Sequence, residues 1–216
     1  MAAEEALSLR EQKKEETRRA LARASAELLL AEGSDGMTVA AVAERAGVST
    51  RTFHNYFPRR EDALLLFIEE TIDELRQQVE DAPAEEHPLD ILRRLITDRI
   101  DEDGTPSDDP GTLLNLRSIG DHLSYSTGRE DRERVLHIAD GLLDALHKRS
   151  ESTMSRQATA LMLISSLAAG SIAVEASAVG DKRACMVLSP GWASSDRNAS
   201  EIIDEEFGLL REGFGA

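Results

Sequence analysis

Apolar residues recur at steps of three and four along most of this chain of 216 residues, and that period selects helices before any other feature is considered. Leu21, Ala24, Leu28 and Ala31 fall on one helical face, and Leu64, Leu65, Ile68, Ile72 and Leu75 fall on another. β-Branched runs are few and aromatic residues make up only 4% of the chain, so little favours a sheet. The expected fold class is all-α, with about nine helices. Glycine and proline supply the punctuation. Gly33 closes a helix over about 13–32, Thr38 caps a short second helix with Val39, Val42 and Ala46 inside, and Gly47 ends it. Ser49 or Thr50 caps a third helix that runs to about Tyr56, where Pro58 blocks its continuation. Longer helices are expected at about 61–81, 88–101, 111–126, 131–149, 155–179 and 199–212.

The charge is unevenly placed. The formal net charge is -16, yet residues 1–60 carry ten Lys/Arg against nine Asp/Glu, leaving fifteen of the 25 cations and 32 of the 41 acids to residues 61–216. Within the first part, "GVSTRTFHNYF" (Gly47 to Phe57) contains no acid and many hydrogen-bond donors. Two short helices joined by a glycine turn, the second polar near its N-terminus, are the ingredients of a helix-turn-helix that reads the major groove of DNA. Ala43 is small where the helices cross, while Val48, Phe53 and Phe57 anchor the second helix. Ser49, Thr50, Arg51, His54 and Asn55 are left to face outwards. Arg51 suits a bidentate bond to guanine and Asn55 to adenine, whereas Thr38, Thr52 and Arg60 suit phosphate oxygens. Helix N-termini at Thr38 and Ser49 add backbone N–H groups favourable to phosphate.

The string "TVAAVAERAGVSTRTFHNYFPRREDAL", Thr38 to Leu64, closely resembles the DNA-binding signature of the tetracycline-repressor (TetR) family, and "RRALARASAELLLAEGSDGM" before it is similar to that family's first helix. The resemblance covers Arg18 to about Leu64. It implies an all-helical homodimer with Thr38, Ser49, Thr50, Arg51, Thr52, His54, Asn55, Tyr56 and Arg60 at or near double-stranded DNA, acting most often as a cytoplasmic repressor of transcription. Two positions depart from the family pattern: His54 stands where an aromatic residue is common, and Arg60 where lysine is usual. His54 adds a group that titrates near neutrality.

The expected division is a helix-turn-helix domain over 1–60 and a ligand-binding and dimerisation domain over 61–216. A lone helix-turn-helix makes too few contacts to select a genomic site, so a dimer reading two half-sites is expected. Ser165, Ser166, Ala169, Gly170 and Ala173 place small side chains at helical spacing and allow close approach of another helix. The closing helix, with Ile202, Ile203, Phe207, Leu209 and Leu210, is the expected partner in a four-helix contact across a two-fold axis. Leu113, Leu114, Leu116, Ile119 and Leu123 would wall a ligand pocket, with Arg117, His122 and Tyr125 as polar handles. "LLNLRSIGDHL" after "DELRQQ" and "LDILRRL" is similar to a subgroup described as binding acyl-CoA-like ligands, and scarce aromatics point to an acyl or aliphatic effector.

Other classes find little support. No nucleophile elbow, phosphate-cradling loop or metal-binding cluster is present, so no enzyme, cofactor or metal site is expected. The one cysteine, Cys185, cannot close an intrachain disulfide and fits a reducing compartment. The charged N-terminus has no apolar signal segment, and the apolar run Ala158 to Val174 contains Thr159, Ser165, Ser166 and Ser171 and is expected to be a buried helix rather than a membrane span. The alternative function is a helical ligand-binding or interaction protein that retains the helix-turn-helix scaffold without binding DNA, which the acidic total favours.

Overall fold

The computed structural model describes residues 2–98, 100, 107–150, 154–177 and 197–214. Among them are nine helices and no strand: α1 (Ala2–Gly36), α2 (Val39–Arg45), α3 (Thr50–Tyr56), α4 (Arg60–Asp81), α5 (Pro88–Thr97), α6 (Leu113–Ser126), α7 (Arg129–Ser150), α8 (Arg156–Ser177) and α9 (Ala199–Phe214). The protein is all-α. Most boundaries lie within two residues of the expected ones, but α1 starts well before Lys13. Its first part has no apolar stripe to announce it; Ala, Glu, Lys and Arg are strong helix formers, and that propensity carries the helix outward. Helix α5 stops at Thr97 rather than running to 101. Cys185 and the expected end of α8 at 178–179 lie outside the described residues.

Two glycines turn the chain by adopting backbone angles that other residues avoid. Gly33, at φ 73°, breaks the helical path near the end of α1. Gly47, at φ 69°, ends α2 in a Schellman turn: its own N–H reaches Glu44 O at 3.0 Å, and the Val48 N–H reaches Ala43 O at 2.9 Å. No atom lies within 4 Å of a Cβ built at either position, so conformation rather than space demands glycine there.

The chain divides into two compact units, Met1–Thr71 with Asn115–Ile138, and Ile72–Leu114 with Ala139–Ala216. The division falls inside α4 rather than at its start, and a piece of the later sequence joins the first unit. In the first unit α1 packs on α2 and α2 on α3.

In the second unit α5, α8 and α9 pack on one another. Helix α5 contributes Leu89, Ile91, Leu92, Leu95 and Ile96 to the core, and α9 contributes Ile202, Ile203 and Phe207. The small residues of α8 are used here, inside the chain. Ser166, Ala169 and Ala173 are buried, and a Cβ added to Gly170 would sit 2.8 Å from Ile96 Cγ2, so this glycine seats α5. Within the chain these small residues are thus occupied, Gly170 against α5, and Ile202, Ile203 and Phe207 likewise face inward. Helix α8 is long and apolar enough over Arg156–Val174 to cross a membrane by length and composition, but its buried side is only a third of that window. On its other side Leu161 and Ile164 are exposed, as is Leu209 of α9.

One acid in this unit sits uneasily. Glu206 Oε2 is buried without a hydrogen-bond partner among the described residues, and burial, with some help from Glu205 against Arg197, pushes the carboxyl up to about 7. Between the ordinary glutamate range and pH 7 the folded protein holds a proton that the unfolded chain releases, so stability from this group declines as pH rises through that window. Glu206→Gln is expected to raise stability at pH 8 by on the order of 1–2 kcal/mol, after allowance for solvent screening, and to leave it unchanged at pH 4. Urea midpoints at the two pH values test this; equal shifts at both would refute it.

Candidate nucleic-acid interface

The helix-turn-helix is built from both ends. Thr38 caps α2, its Oγ1 accepting the Ala41 N–H at 3.1 Å, and Ser49 caps α3 by accepting the Thr52 N–H at 3.1 Å. Ser49 Oγ and Thr52 Oγ1 also share a hydrogen at 2.9 Å. Inside, Val42, Ala43, Phe53 and Phe57 are buried, and the Phe53 and Phe57 rings pack at 5.8 Å between centroids. With Phe53 held inward, the period of the helix turns Ser49, Thr50, Arg51, His54 and Asn55 outward, and all five are exposed. Thr52, Tyr56 and Val48 are half-buried. Arg51 makes no hydrogen bond or ion pair among the described residues, in contrast to Arg45, which pairs with Glu27 and Glu32 of α1 at 3.7 Å.

Arg60 is placed differently from its neighbours. Its guanidinium turns inward and donates to the backbone oxygens of Ser34 and Met37, each at 2.8 Å, and to Glu61 at 3.0 Å, tying the end of α1 to the start of α4. A phosphate oxygen would have to compete with these bonds. The residue before it carries a second clamp that no local pattern announces. The Arg59 N–H caps α4 on Asp62 Oδ2 at 3.2 Å, and the Arg59 guanidinium bonds Asp131 at both oxygens, 2.9 and 3.0 Å, and Asp62 at 3.0 Å. Arg134 reaches the same Asp62 at 3.3 Å. Asp131 is 2% exposed, and the hydrogen bonds from Arg59 hold its carboxyl below the usual aspartate range despite burial.

The residues expected to line a ligand pocket are only partly gathered. Leu113, Leu116, Ile119 and Leu123 are buried along one side of α6, although Leu113 and Leu114 belong to the second unit and the rest to the first. Tyr125 is 77% exposed, which overturns its assignment as a pocket handle: two residues beyond Leu123 it lies about 200° round the helix. Arg117 is half-buried, 3.8 Å from Asp121. His122 is half-buried, and burial first, then Arg60, lowers its proton affinity against the pull of Glu61.

A surface feature beside α3 lay beyond the motif. One face of α1, Glu11, Lys14, Glu15 and Arg18, forms with Asn55 and Tyr56 a shallow cleft of about 380 Å³.

Residues 21–66 match the family model for bacterial regulatory proteins of the tetR family. The match covers 46 of the 216 residues. The chain is also similar in fold to solved structures along most of its length. A transcriptional regulator from Rhodococcus sp. Rha1 matches with TM-score 0.60 at 16% identity, covering 91% of this chain and 96% of its own. The fatty acid degradation regulator FadR from Bacillus halodurans matches with TM-score 0.60 at 15% identity, covering 91% and 95%. A regulator of the TetR/AcrR family from Thermobifida fusca YX-ER1 matches with TM-score 0.54 at 16% identity, covering 91% and 97%. No curated protein matches the chain.

Proposed function

We propose that this chain is a tetR-family regulator that binds a palindromic duplex as a homodimer, lays α3 in the major groove, and is released by a small-molecule effector to control transcription. The observation that carries the reading is the two-sidedness of α3: Phe53 is fully buried while Arg51 and Asn55 stand exposed, with Arg51 unpaired among the described residues. In this reading Arg51 and Asn55 read bases, and Ser49, Thr50, Thr52, His54 and Tyr56 position the helix on the backbone together with Thr38. Arg60 serves indirectly, by fixing α1 to α4. The helix-turn-helix domain is taken as 1–60, with 61–216 supplying dimer and effector surfaces. The exposed Leu161, Ile164 and Leu209, rather than the small stripe of α8, favour a surface covered by a second copy. An acyl or aliphatic effector along the apolar side of α6 completes the proposal.

Duplexes selected by the purified protein from a random pool test it, because a palindrome reports the dimer and the bases together. Arg51→Ala is expected to relax preference at one base position by about 1–3 kcal/mol, whereas Thr38→Ala weakens all duplexes about equally. Identical changes in the two variants would contradict this division. Thermal shift with acyl-CoAs, free acids and aromatic drugs tests the effector class; stabilisation by cationic drugs alone would exclude an acyl ligand. Failure to bind any duplex at low salt would favour the helical interaction protein instead.

A further inference from the structure

Helix α1 runs well past the segment matched to the family, and its outer part is charged in a specific way. At 100° per residue, Arg10, Lys13, Lys14 and Arg18 fall within an arc of about 140°, while Glu11, Glu15 and Glu16 lie on the remaining circumference. Neutralisation inside the protein is one-sided too. Glu15 is engaged by Arg18 at 3.8 Å and Arg19 at 3.4 Å, and Arg19 also reaches Glu70 at 3.2 Å. Arg10, Lys13 and Lys14 are exposed, and their side chains make no ion pair or hydrogen bond among the described residues. Three solvated cations on one stripe, in a chain of net charge -16, cost repulsion without an internal partner to offset it.

The stripe has a definite neighbour. Lys14 and Arg18 line the same cleft as Asn55 and Tyr56, at the C-terminal end of α3. Glu11 and Glu15 are in that cleft as well, so it is ill suited to a free anion. We infer that the Arg10–Lys13–Lys14 stripe of α1 is a second nucleic-acid contact, which engages the phosphate backbone flanking the bases that α3 faces. A polyanion fits where a small anion does not, because its evenly spaced phosphates can meet cations on successive turns of α1. The contact carries no base information. It adds affinity and salt dependence, and it extends the length of duplex covered.

This inference rests on the proposed duplex binding, and the experiment separates the two. Lys13→Gln with Lys14→Gln removes two exposed charges and keeps helix propensity, so folding is checked by circular dichroism and is expected to be unchanged. Using a duplex selected by the wild-type protein, the dimer loses four phosphate contacts and the logarithmic salt slope is expected to flatten by about 3.6, so the wild-type advantage shrinks by about 150-fold between roughly 50 and 200 mM salt. The base preference of the variant stays that of wild type, and trimming the duplex to the palindrome alone abolishes the difference between the two proteins. Wild-type protein that binds with a slope equal to the variant's overturns the inference and leaves the helix-turn-helix reading standing. Wild-type protein that binds no duplex overturns both. Altered base preference in the variant would also refute it, since it would place the lysines in a groove.

Discussion

Replacing Phe53 by alanine is expected to lower the stability of the chain by about 3–5 kcal/mol and to abolish the proposed duplex binding together with the order of α3. Phe53 is fully buried, and its ring is shared between α3 and the Phe57 side chain that ends it. Helix α3 has only seven residues, too few to persist without tertiary support. Removing the ring therefore takes away both the anchor and the reason the outward residues keep a common face. With total stabilities of about 5–15 kcal/mol the loss is a large share of the whole. Urea denaturation gives the magnitude, and amide exchange at residues 50–57 gives its location. Phe53→Leu, which keeps most of the volume, is expected to cost less than about 1.5 kcal/mol. A Phe53→Ala chain as stable as wild type, with α3 amides still protected, would show that the two caps alone hold the helix.

The second large effect is expected at Arg149, in the last turn of α7. Its guanidinium donates to Val79 O at 3.2 Å, Ala82 O at 3.0 Å and Glu86 O at 3.4 Å, and to Pro83 O. These oxygens belong to the end of α4 and the link to α5, where a helix leaves its last carbonyls unpaired. Four acceptors satisfied by one cation also place positive charge where the α4 dipole favours it. Arg149→Met, close in shape and without donors, is expected to cost about 2–4 kcal/mol. The lower half of that range is favoured because Arg149 Nε is itself buried without a partner, and methionine removes that group as well. Lysine presents its donors at one point rather than across a plane, so Arg149→Lys should recover less than half of the loss. Thermal denaturation of the three proteins checks the order; equal stability of the methionine variant would mean that water replaces the guanidinium at little expense.

The legible features share one property: each is encoded within a few residues. Thr38 and Ser49 announce caps because a hydroxyl two or three residues before a helix interior has a local acceptor role, and Gly47 announces a turn because its φ excludes other side chains. Phe53 and Phe57 lie four apart, so their burial and the exposure of Arg51, His54 and Asn55 follow from the helical period. Arg60 illustrates the opposite case. Beside a DNA-reading motif an arginine suggests phosphate, yet its partners Ser34 and Met37 are more than twenty residues away. The small residues of α8 are a similar case. Small side chains mark close approach of some helix, and composition does not distinguish α5 of the same chain from a second copy.

From its residues alone, then, the chain determined its helical class, its punctuation and the inner and outer edges of α3, because backbone angles, caps and a period of 3.6 act over one or two turns. Which arginines are occupied and which are offered to solvent was settled only by folding. Arg59 finds Asp131 seventy-two positions away, Arg149 finds the end of α4, and Arg51, Lys13 and Lys14 find no side-chain partner among the described residues. An arginine looks the same in sequence whether or not a carboxylate or a carbonyl arrives beside it, and such arrivals depend on how distant helices pack.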